Sequence, residues 1–195
     1  MTDIFHADDE ATPLTPEERE DLIPTHITLR HELNELEQQN IAQANLWAFE
    51  RKRDVLDEDF LKRLHKRMFG GVWKWAGIYR TTEKNLGVNP PFRIQPEVRQ
   101  IIDDVKFWIA NKTYPPDEIA VRFHHRLVFV HPFPNGNGRW SRLAADMLIT
   151  QLGGKRFSWG GADLQAEGDA RRKYMDAIHA ADDHDLEPLI AFARS

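Results

Sequence analysis

Residues 131–142 read HPFPNGNGRWSR, and they join two runs of residues with helical periodicity. Gly136, Asn137 and Gly138 follow two prolines in this stretch. Glycine accepts backbone angles that other residues resist, so the three residues can turn successive amide N–H groups toward one point. The sequence therefore predicts a helix–loop–helix unit with an anion site at the amino terminus of its second helix.

Two arginines, Arg139 and Arg142, open this second helix, although the helix macrodipole disfavours cations in a first turn. Their spacing of three residues brings both guanidinium groups to one face. A polyphosphate is a natural counter-ion for that arrangement. The alternative is a glycine-rich turn followed by solvated arginines, because a short glycine motif alone is a weak signal.

The loop also carries a candidate base, His131, at the end of the preceding helix. Histidine accepts a proton near neutral pH, so it can activate a hydroxyl nucleophile beside a bound phosphate. Phe133 can anchor the loop by burying its ring. A zinc site formed with His124 and His125 is the alternative, but no HExxH or comparable carboxylate spacing accompanies these histidines.

The composition is that of a single globular domain of 195 residues with a net charge of −5 and no cysteine. The acidic balance argues against a large nucleic-acid surface, since binding to phosphates depends on clustered positive charge. The amino terminus, MTDIFHADDE, lacks the features of a secretory signal, and no run approaches the roughly 18 apolar residues of a membrane span. We expect a cytoplasmic protein without a membrane or nucleic-acid partner.

Periodicity and breaker residues predict an all-α fold with one short β-hairpin, the latter in the aromatic and β-branched segment 71–94. We expect a flexible arm over residues 1–24 and one domain over residues 25–195. Helices are predicted at 29–51, 57–69, 97–110, 117–131, 138–152, 169–181 and 186–193. The lead helix lies within 25–51, and the helix–loop–helix unit occupies 117–152.

The stretch HPFPNGNGRWSR resembles the signature loop of the Fic family, HPFx(D/E)GNGRxxR. The runs ELNELEQQNI, WKWAGIYR and FHHRLVFVHPFPNGNGR are similar to a bacterial Fic branch labelled mobile mystery protein B. The predicted helices and the hairpin upstream of the loop are similar to that family's helical fold with its β-hairpin flap. The chain is thus identified as resembling the Fic/Doc family.

The resemblance implies a protein adenylyltransferase that moves AMP from ATP to a hydroxyl side chain of a target protein. His131 would be the general base, and the amides of Gly136 to Gly138, with Asn137, would hold the α- and β-phosphates. Arg139 would contact the phosphates, and Arg142 would hold the γ-phosphate. By analogy, a bacterial, toxin-like role follows.

The family's flap binds the target segment by adding a strand to it. In this chain the resemblance assigns that role to seven consecutive residues. They are Thr82, Glu83, Lys84, Asn85, Leu86, Gly87 and Val88.

One departure from the family pattern concerns the metal. The family carries Asp or Glu before GNG as the Mg²⁺ ligand, whereas this chain has Asn135. An amide oxygen can coordinate magnesium but brings no charge. Two alternatives follow: a weakened module that binds nucleotide and regulates, or a transferase that uses another phosphate-containing donor. A kinase-like variant is disfavoured by the intact GNGR.

A second family feature is an inhibitory helix with the pattern (S/T)xxxE(G/N), whose glutamate pairs with the second loop arginine. Thr28 to Glu32 fits the first part, while Leu33 breaks the last position. Glu32 is therefore the predicted inhibitory residue, with Glu37 as an alternative and a solvent-facing carboxylate as the plainer interpretation. Self-inhibition or an antitoxin would be the corresponding regulation.

Overall fold

The computed structural model describes residues 20–161, 164 and 168–195. The α-helices that lie wholly within these residues are α1 (Arg30–Phe49), α2 (Glu58–Phe69), α3 (Ile94–Asn111), α4 (Pro116–Val130), α5 (Asn137–Gln151), α6 (Asp169–Asp182) and α7 (Glu187–Arg194). Short 3₁₀ turns occupy Pro91–Arg93 and Trp159–Gly161. The all-α prediction is confirmed, and the helix bounds lie within a few residues of those predicted.

Local chemistry explains the helix ends. The Asp57 carboxylate accepts a hydrogen bond from the Phe60 N–H at 2.7 Å and so caps α2. Acidic residues occupy the first turn of α2, and Lys66 and Arg67 occupy its last turn, in the sense that suits the helix dipole. Pro115 and Pro116 begin α4, where a missing N–H costs nothing.

The core is centred on α5, because ten of its 15 residues are buried. Helix α4 packs along α5, and α3 and α7 pack against α4, while α1 and α2 pack together on another side of α5. Trp140 is fully buried within this core, and its indole N–H donates to the Leu61 carbonyl at 3.0 Å. The loop between α4 and α5 therefore joins two helices that pack on each other in the core.

The predicted hairpin over residues 71–94 is wrong as a pair of strands. This segment consists of turns and a 3₁₀ turn, and its one β-bridge joins Trp73 to Leu22. Left-handed backbone at Gly77 and Gly87, with φ of 80° and 85°, interrupts an extended chain. The segment is fixed instead by hydrogen bonds from the Arg80 side chain to carbonyls and an amide oxygen.

The predicted flexible arm also needs a correction at its end. Residues 1–19 lie outside the described residues, but residues 21–23 are paired with the chain that follows α2. The Ile23 N–H donates to the Val72 carbonyl at 2.8 Å, and Lys74 N–H donates to the Asp21 carbonyl at 3.0 Å. Leu22 is buried. These contacts hold the last residues of the predicted arm against the rest of the chain.

Within the described part of the chain, none of the helices combines the length and the apolar character needed to cross a bilayer.

Candidate active site

The loop between α4 and α5 depends on two left-handed residues. His131 follows the last residue of α4 with φ 50° and ψ 60°, a conformation that costs a non-glycine residue about 1–2 kcal/mol. Gly136 precedes α5 with φ 78°, and a Cβ atom there would lie 2.5 Å from the Phe69 ring. Glycine is therefore required at position 136 by both backbone angle and space.

Asn137 closes the loop with its side chain. Its amide nitrogen donates to the Phe133 carbonyl, and its amide oxygen accepts from the Phe133 N–H, both at 2.9 Å. The side chain is buried. The side-chain amide of Asn137 is therefore used inside the loop, and the predicted contact of Asn137 with phosphate stays a prediction. What it can offer a phosphate is its backbone N–H, since first-turn N–H groups have no intrahelical acceptor.

Phe133 and His65 form the floor of the loop. The two rings stack at 3.7 Å, and the Trp140 ring meets Phe133 edge-on at 5.0 Å. His65 Nδ1 accepts from the Gly77 N–H at 3.0 Å, so Nε2 carries the proton and donates to the Asn135 carbonyl at 3.1 Å. Burial lowers the pKa of His65 to about 3, which keeps this neutral tautomer at physiological pH.

The candidate base, His131, is neutral in this environment. Burial lowers its pKa to about 4, and the positive charges of Lys84 and Arg80 act in the same direction. A neutral imidazole is the form that accepts a proton from a hydroxyl group. The geometry therefore supports a general base at the end of α4.

Arg142 lies over the Tyr174 ring at 5.2 Å, so α6 contributes to the site. The Tyr174 hydroxyl contacts His124 Nε2 at 3.1 Å. A Cβ atom on Gly138 would lie 3.6 Å from an Arg142 guanidinium nitrogen and 3.8 Å from the Tyr174 oxygen. Packing alone therefore tolerates a side chain at Gly138. The Arg142 guanidinium group and the Tyr174 hydroxyl group border the space beside it.

Arg139 is paired with a buried glutamate on α1. Its guanidinium group donates to Glu37 at 2.5 Å and lies over the Phe69 ring at 4.8 Å. The other Glu37 oxygen accepts from the Trp73 indole N–H at 2.6 Å. Glu37 is 5% exposed, so this is an ion pair shielded from solvent.

Glu32, the predicted inhibitory residue, is engaged elsewhere. Its carboxylate accepts hydrogen bonds from the Thr28 and Leu29 N–H groups at 3.0 and 3.2 Å, and so caps α1. These bonds lower the pKa of Glu32. Glu37 is the glutamate that contacts the loop, and it contacts the first loop arginine, Arg139, where the resemblance implied the second.

The residues around Asn135 do not form a site for Mg²⁺. The Asn135 amide oxygen accepts from the Gly136 N–H at 2.6 Å and is therefore already engaged. Among the described residues no group of three or more His, Asp or Glu side chains is arranged to hold a metal ion. Mg²⁺ prefers carboxylate oxygens together with substrate phosphates, and this loop supplies no carboxylate.

The carboxyl-terminal end of the predicted flap, Thr82 to Val88, lies against the end of α4, where the loop begins. Val88 N–H donates to the Val130 carbonyl at 3.1 Å. A Cβ atom on Gly87 would lie 2.6 Å from the Cβ of His131, so the flap and the candidate base are in close contact. Residues 81–83 and 85 are exposed.

Three further residues contribute to this site and were not predicted from the sequence: His65, Tyr174 and Arg80. His65 and Tyr174 lie on helix faces whose periodicity matches ordinary core packing, so nothing in the pattern distinguished them. Arg80 ends the run WKWAGIYR, which carried part of the family resemblance. An arginine inside that aromatic run was the one available signal.

The sequence of this chain is similar to those of known proteins. A family model described as Fic/DOC family matches residues 55–149. The protein adenylyltransferase fic-1 of Caenorhabditis elegans is 30% identical over 147 residues, which are 73% of this chain and 27% of the relative. The protein adenylyltransferase Fic of Aedes aegypti is 26% identical over 72% of this chain and 28% of the relative. The chain thus spans about a quarter of the length of these curated relatives.

Solved structures show the same architecture. The C. elegans Fic-1 structure superposes with a TM-score of 0.63 at 25% identity, covering 81% of this chain and 46% of that one. BepC of Bartonella tribocorum, solved with bound AMPPNP, superposes with a TM-score of 0.66 at 18% identity, covering 92% of this chain and 97% of that one. An all-α domain with this loop between its two central helices is a Fic domain. The chain belongs to the Fic/DOC family.

Proposed function

We propose that this chain transfers AMP from ATP to a hydroxyl side chain of a target protein. One observation carries the proposal: a half-buried, neutral His131 precedes the amino terminus of α5, where the Arg142 guanidinium group lies beside Gly138. The name of the C. elegans relative, a protein adenylyltransferase, supports the same reaction. Because this chain spans only about a quarter of the length of that relative, the activity is proposed for this chain and not carried over from the relative.

In the proposed reaction the target hydroxyl oxygen attacks the α-phosphorus of ATP. The bond between the α-phosphorus and the bridging oxygen to the β-phosphorus breaks, pyrophosphate leaves, and His131 takes the hydroxyl proton. The backbone N–H groups of Asn137 and Gly138 and the dipole of α5 offset negative charge on the α- and β-phosphates. Arg142, supported by the Tyr174 ring, binds the terminal phosphate.

The flap is the proposed docking element for the target. Gly87 of the flap contacts His131, and an extended segment bound along the flap would bring a hydroxyl group to the imidazole. Main-chain hydrogen bonds would carry most of this recognition, so varied target sequences would be accepted.

Magnesium enters no step of this proposal, because Asn135 offers a neutral and already engaged oxygen. The second candidate function is therefore a weakened module that binds nucleotide or uses another phosphate-containing donor. Asn135→Asp separates the two. If the native residue is a weakened metal ligand, the variant gains magnesium-dependent transfer, whereas a regulatory module gains nucleotide binding without transfer.

We also propose self-inhibition through Glu37, in place of Glu32. The support is the shielded pair between Glu37 and Arg139, which draws a phosphate-binding arginine toward α1. An antitoxin, a toxin-like role in a bacterium and membership of the mobile mystery protein B branch stay predictions. So do a domain spanning residues 25–195 and a cytoplasmic location.

The test uses purified full-length protein and ATP labelled on either the α- or the γ-phosphate, followed by intact-mass spectrometry. Self-modification or target modification with the α-label, absent from His131→Ala, is the expected result. Transfer of the γ-label would indicate phosphotransfer. Nucleotide binding without either label would favour the regulatory module.

A further inference from the structure

A buried guanidinium group lies beneath the flap. Arg80 is 4% exposed, and none of the acceptors of its side-chain hydrogen bonds is a carboxylate. Its Nε donates to the His131 carbonyl at 2.8 Å, Nη1 to the Thr82 carbonyl at 2.8 Å and to Asn89 Oδ1 at 3.1 Å, and Nη2 to the Val88 carbonyl at 2.6 Å. Glu83 is a nearby negative charge but accepts none of these hydrogen bonds, so burial of the cation costs stability that an apolar side chain of similar volume would not. The arrangement therefore calls for a functional explanation.

The acceptors of Arg80 fall into two groups. Thr82 and Val88 are the two ends of the flap and Asn89 follows it directly, whereas His131 is the proposed base. The planar fork of arginine reaches both groups at fixed angles, which a lysine ammonium group cannot reproduce. One side chain thus ties both ends of the flap to the residue that performs the chemistry.

The carbonyl groups of residues 130–132 all accept hydrogen bonds from the segment 80–88. Val130 accepts from the Val88 N–H at 3.1 Å, His131 accepts from the Arg80 side chain, and Pro132 accepts from the Arg80 N–H at 2.9 Å. Three consecutive carbonyl groups are therefore bonded to the segment 80–88. His131 needs such support, since it holds a left-handed backbone conformation without being glycine.

We propose that Arg80 is a positioning residue that fixes the flap and His131 as one unit, so that a target segment docked on the flap presents its hydroxyl group to the imidazole. This inference rests on the proposed AMP transfer for its kinetic consequence, while its structural part stands alone. Arg80 touches no reacting atom. Its effect is on the geometry of attack, where a displacement of about 1 Å can cost about 100-fold in rate.

Electrostatics give Arg80 a second measurable effect. The charged groups that lower the pKa of His131 are Lys84 and Arg80, both from the flap segment, after the larger effect of burial. Replacing Arg80 by methionine removes one of these charges, so the pKa of His131 rises toward its ordinary value. Replacing it by lysine keeps a charge and removes the fork.

The experiment compares Arg80→Lys and Arg80→Met with Arg93→Met as the matched control. Arg93 is an exposed arginine just after the flap, paired with Glu97 at 3.1 Å. Both Arg80 variants are expected to lose at least about 100-fold in kcat for AMP transfer, with nucleotide Kd changed less than about threefold, because the phosphate cradle lies at the other end of the loop. The control should retain wild-type kcat. Wild-type kcat in Arg80→Lys would overturn the proposal, and so would an equal loss of nucleotide binding.

Two readouts separate this proposal from the proposed function. Amide exchange at Val88, followed by NMR, should accelerate at least about tenfold in Arg80→Lys, and the His131 titration should shift upward in Arg80→Met. Unchanged exchange and titration in folded variants would refute the positioning role even if the wild-type protein transfers no AMP. If Arg80→Met does not fold, Asn89→Ala removes the bond from Arg80 Nη1 at 3.1 Å, together with the bonds between the Asn89 side chain and the Lys84 backbone. Amide exchange at Val88 should also accelerate in Asn89→Ala, by less than in Arg80→Lys. Unchanged exchange in Asn89→Ala would refute the positioning role of Arg80.

Discussion

Replacing Glu37 by glutamine should raise nucleotide binding and transfer. Glutamine has nearly the same shape, and its amide oxygen can still accept from the Trp73 indole N–H, as one Glu37 oxygen does at 2.6 Å. What is lost is the negative charge facing Arg139 at 2.5 Å. Arg139 is then held less tightly to α1 and is available to a phosphate.

The size of the effect follows from the burial of the pair. The side chains of Arg139 and Glu37 are 15% and 7% exposed, so the pair is poorly screened by solvent. A hydrogen bond to a charged group contributes about 1.5–3 kcal/mol; the pair of two charged groups lies at the upper end of this range, and the bond from Arg139 to a neutral amide lies at or below its lower end. The difference, about 1–2 kcal/mol, corresponds to about a 5- to 30-fold gain in the population of released Arg139.

The assay is isothermal titration calorimetry of a non-hydrolysable ATP analogue, run beside transfer of the α-label from ATP. Glu32→Gln is the matched control, because Glu32 lies on the same helix and caps its amino terminus. We expect a gain in Glu37→Gln and none in Glu32→Gln. A gain in the control alone, or equal affinities in all three proteins, would refute the reasoning.

Three further predictions concern the support of the loop. Tyr174→Phe removes the hydroxyl group that contacts His124 at 3.1 Å. The variant should bind nucleotide about 3- to 10-fold more weakly in calorimetry, with a fold unchanged by circular dichroism. An affinity equal to that of the wild-type protein would exclude the Tyr174 hydroxyl group from the phosphate site. Asn137→Ala leaves the N–H and carbonyl groups of Phe133 without their partners. The free energy of unfolding, measured in urea, should fall by about 2–4 kcal/mol. A decrease below about 0.5 kcal/mol would contradict the role of Asn137 in closing the loop. Because burial lowers the pKa of His65 to about 3, the unfolded chain binds more protons than the native protein below about pH 6.5. Stability contributed by the neutral ring is therefore complete above that pH and falls as the pH is lowered, so Tm should decrease between about pH 7.5 and 4.5, and a constant Tm would be the contrary result.

The sequence predicted the helices well because their signals are local. Asp57 caps α2, Gly70 follows it, and Pro116 begins α4, each at the position its backbone chemistry favours. The loop at 131–142 was equally readable, since its glycines and prolines restrict the chain whatever surrounds it. Family membership followed from the same twelve residues, and the comparison with known proteins confirmed it.

The lack of strands over residues 71–94 and the contact between Glu37 and Arg139 were not predicted from the sequence, because both depend on distant residues. Aromatic and β-branched residues indicated strands over 71–94, but Arg80 draws the carbonyls of that segment inward and no ladder forms. Glu37 meets Arg139 across 102 positions of sequence, and that pairing depends on how α1 packs beside α5. Local spacing favoured Glu32 as the inhibitory residue, whereas tertiary packing brings Glu37 to Arg139.

The side-chain role of Asn137 shows a similar limit. The phosphate-binding interpretation rested on its position between two glycines, and position alone does not reveal where an amide points. The structure uses both atoms of the amide to close the loop on Phe133. The backbone part of the interpretation stays a prediction, since it concerns a bound phosphate.

The central claim is that His131 acts as the general base of AMP transfer. The most direct test measures kcat/KM for transfer of the α-label against pH, for the wild-type protein and for His131→Ala, with nucleotide Kd measured for both. The account predicts a wild-type rate that is level through neutral pH and falls as the pH approaches about 4, where the imidazole becomes protonated. It also predicts a loss of at least about 100-fold in His131→Ala at an unchanged Kd. Wild-type transfer by His131→Ala, at any pH, would contradict it.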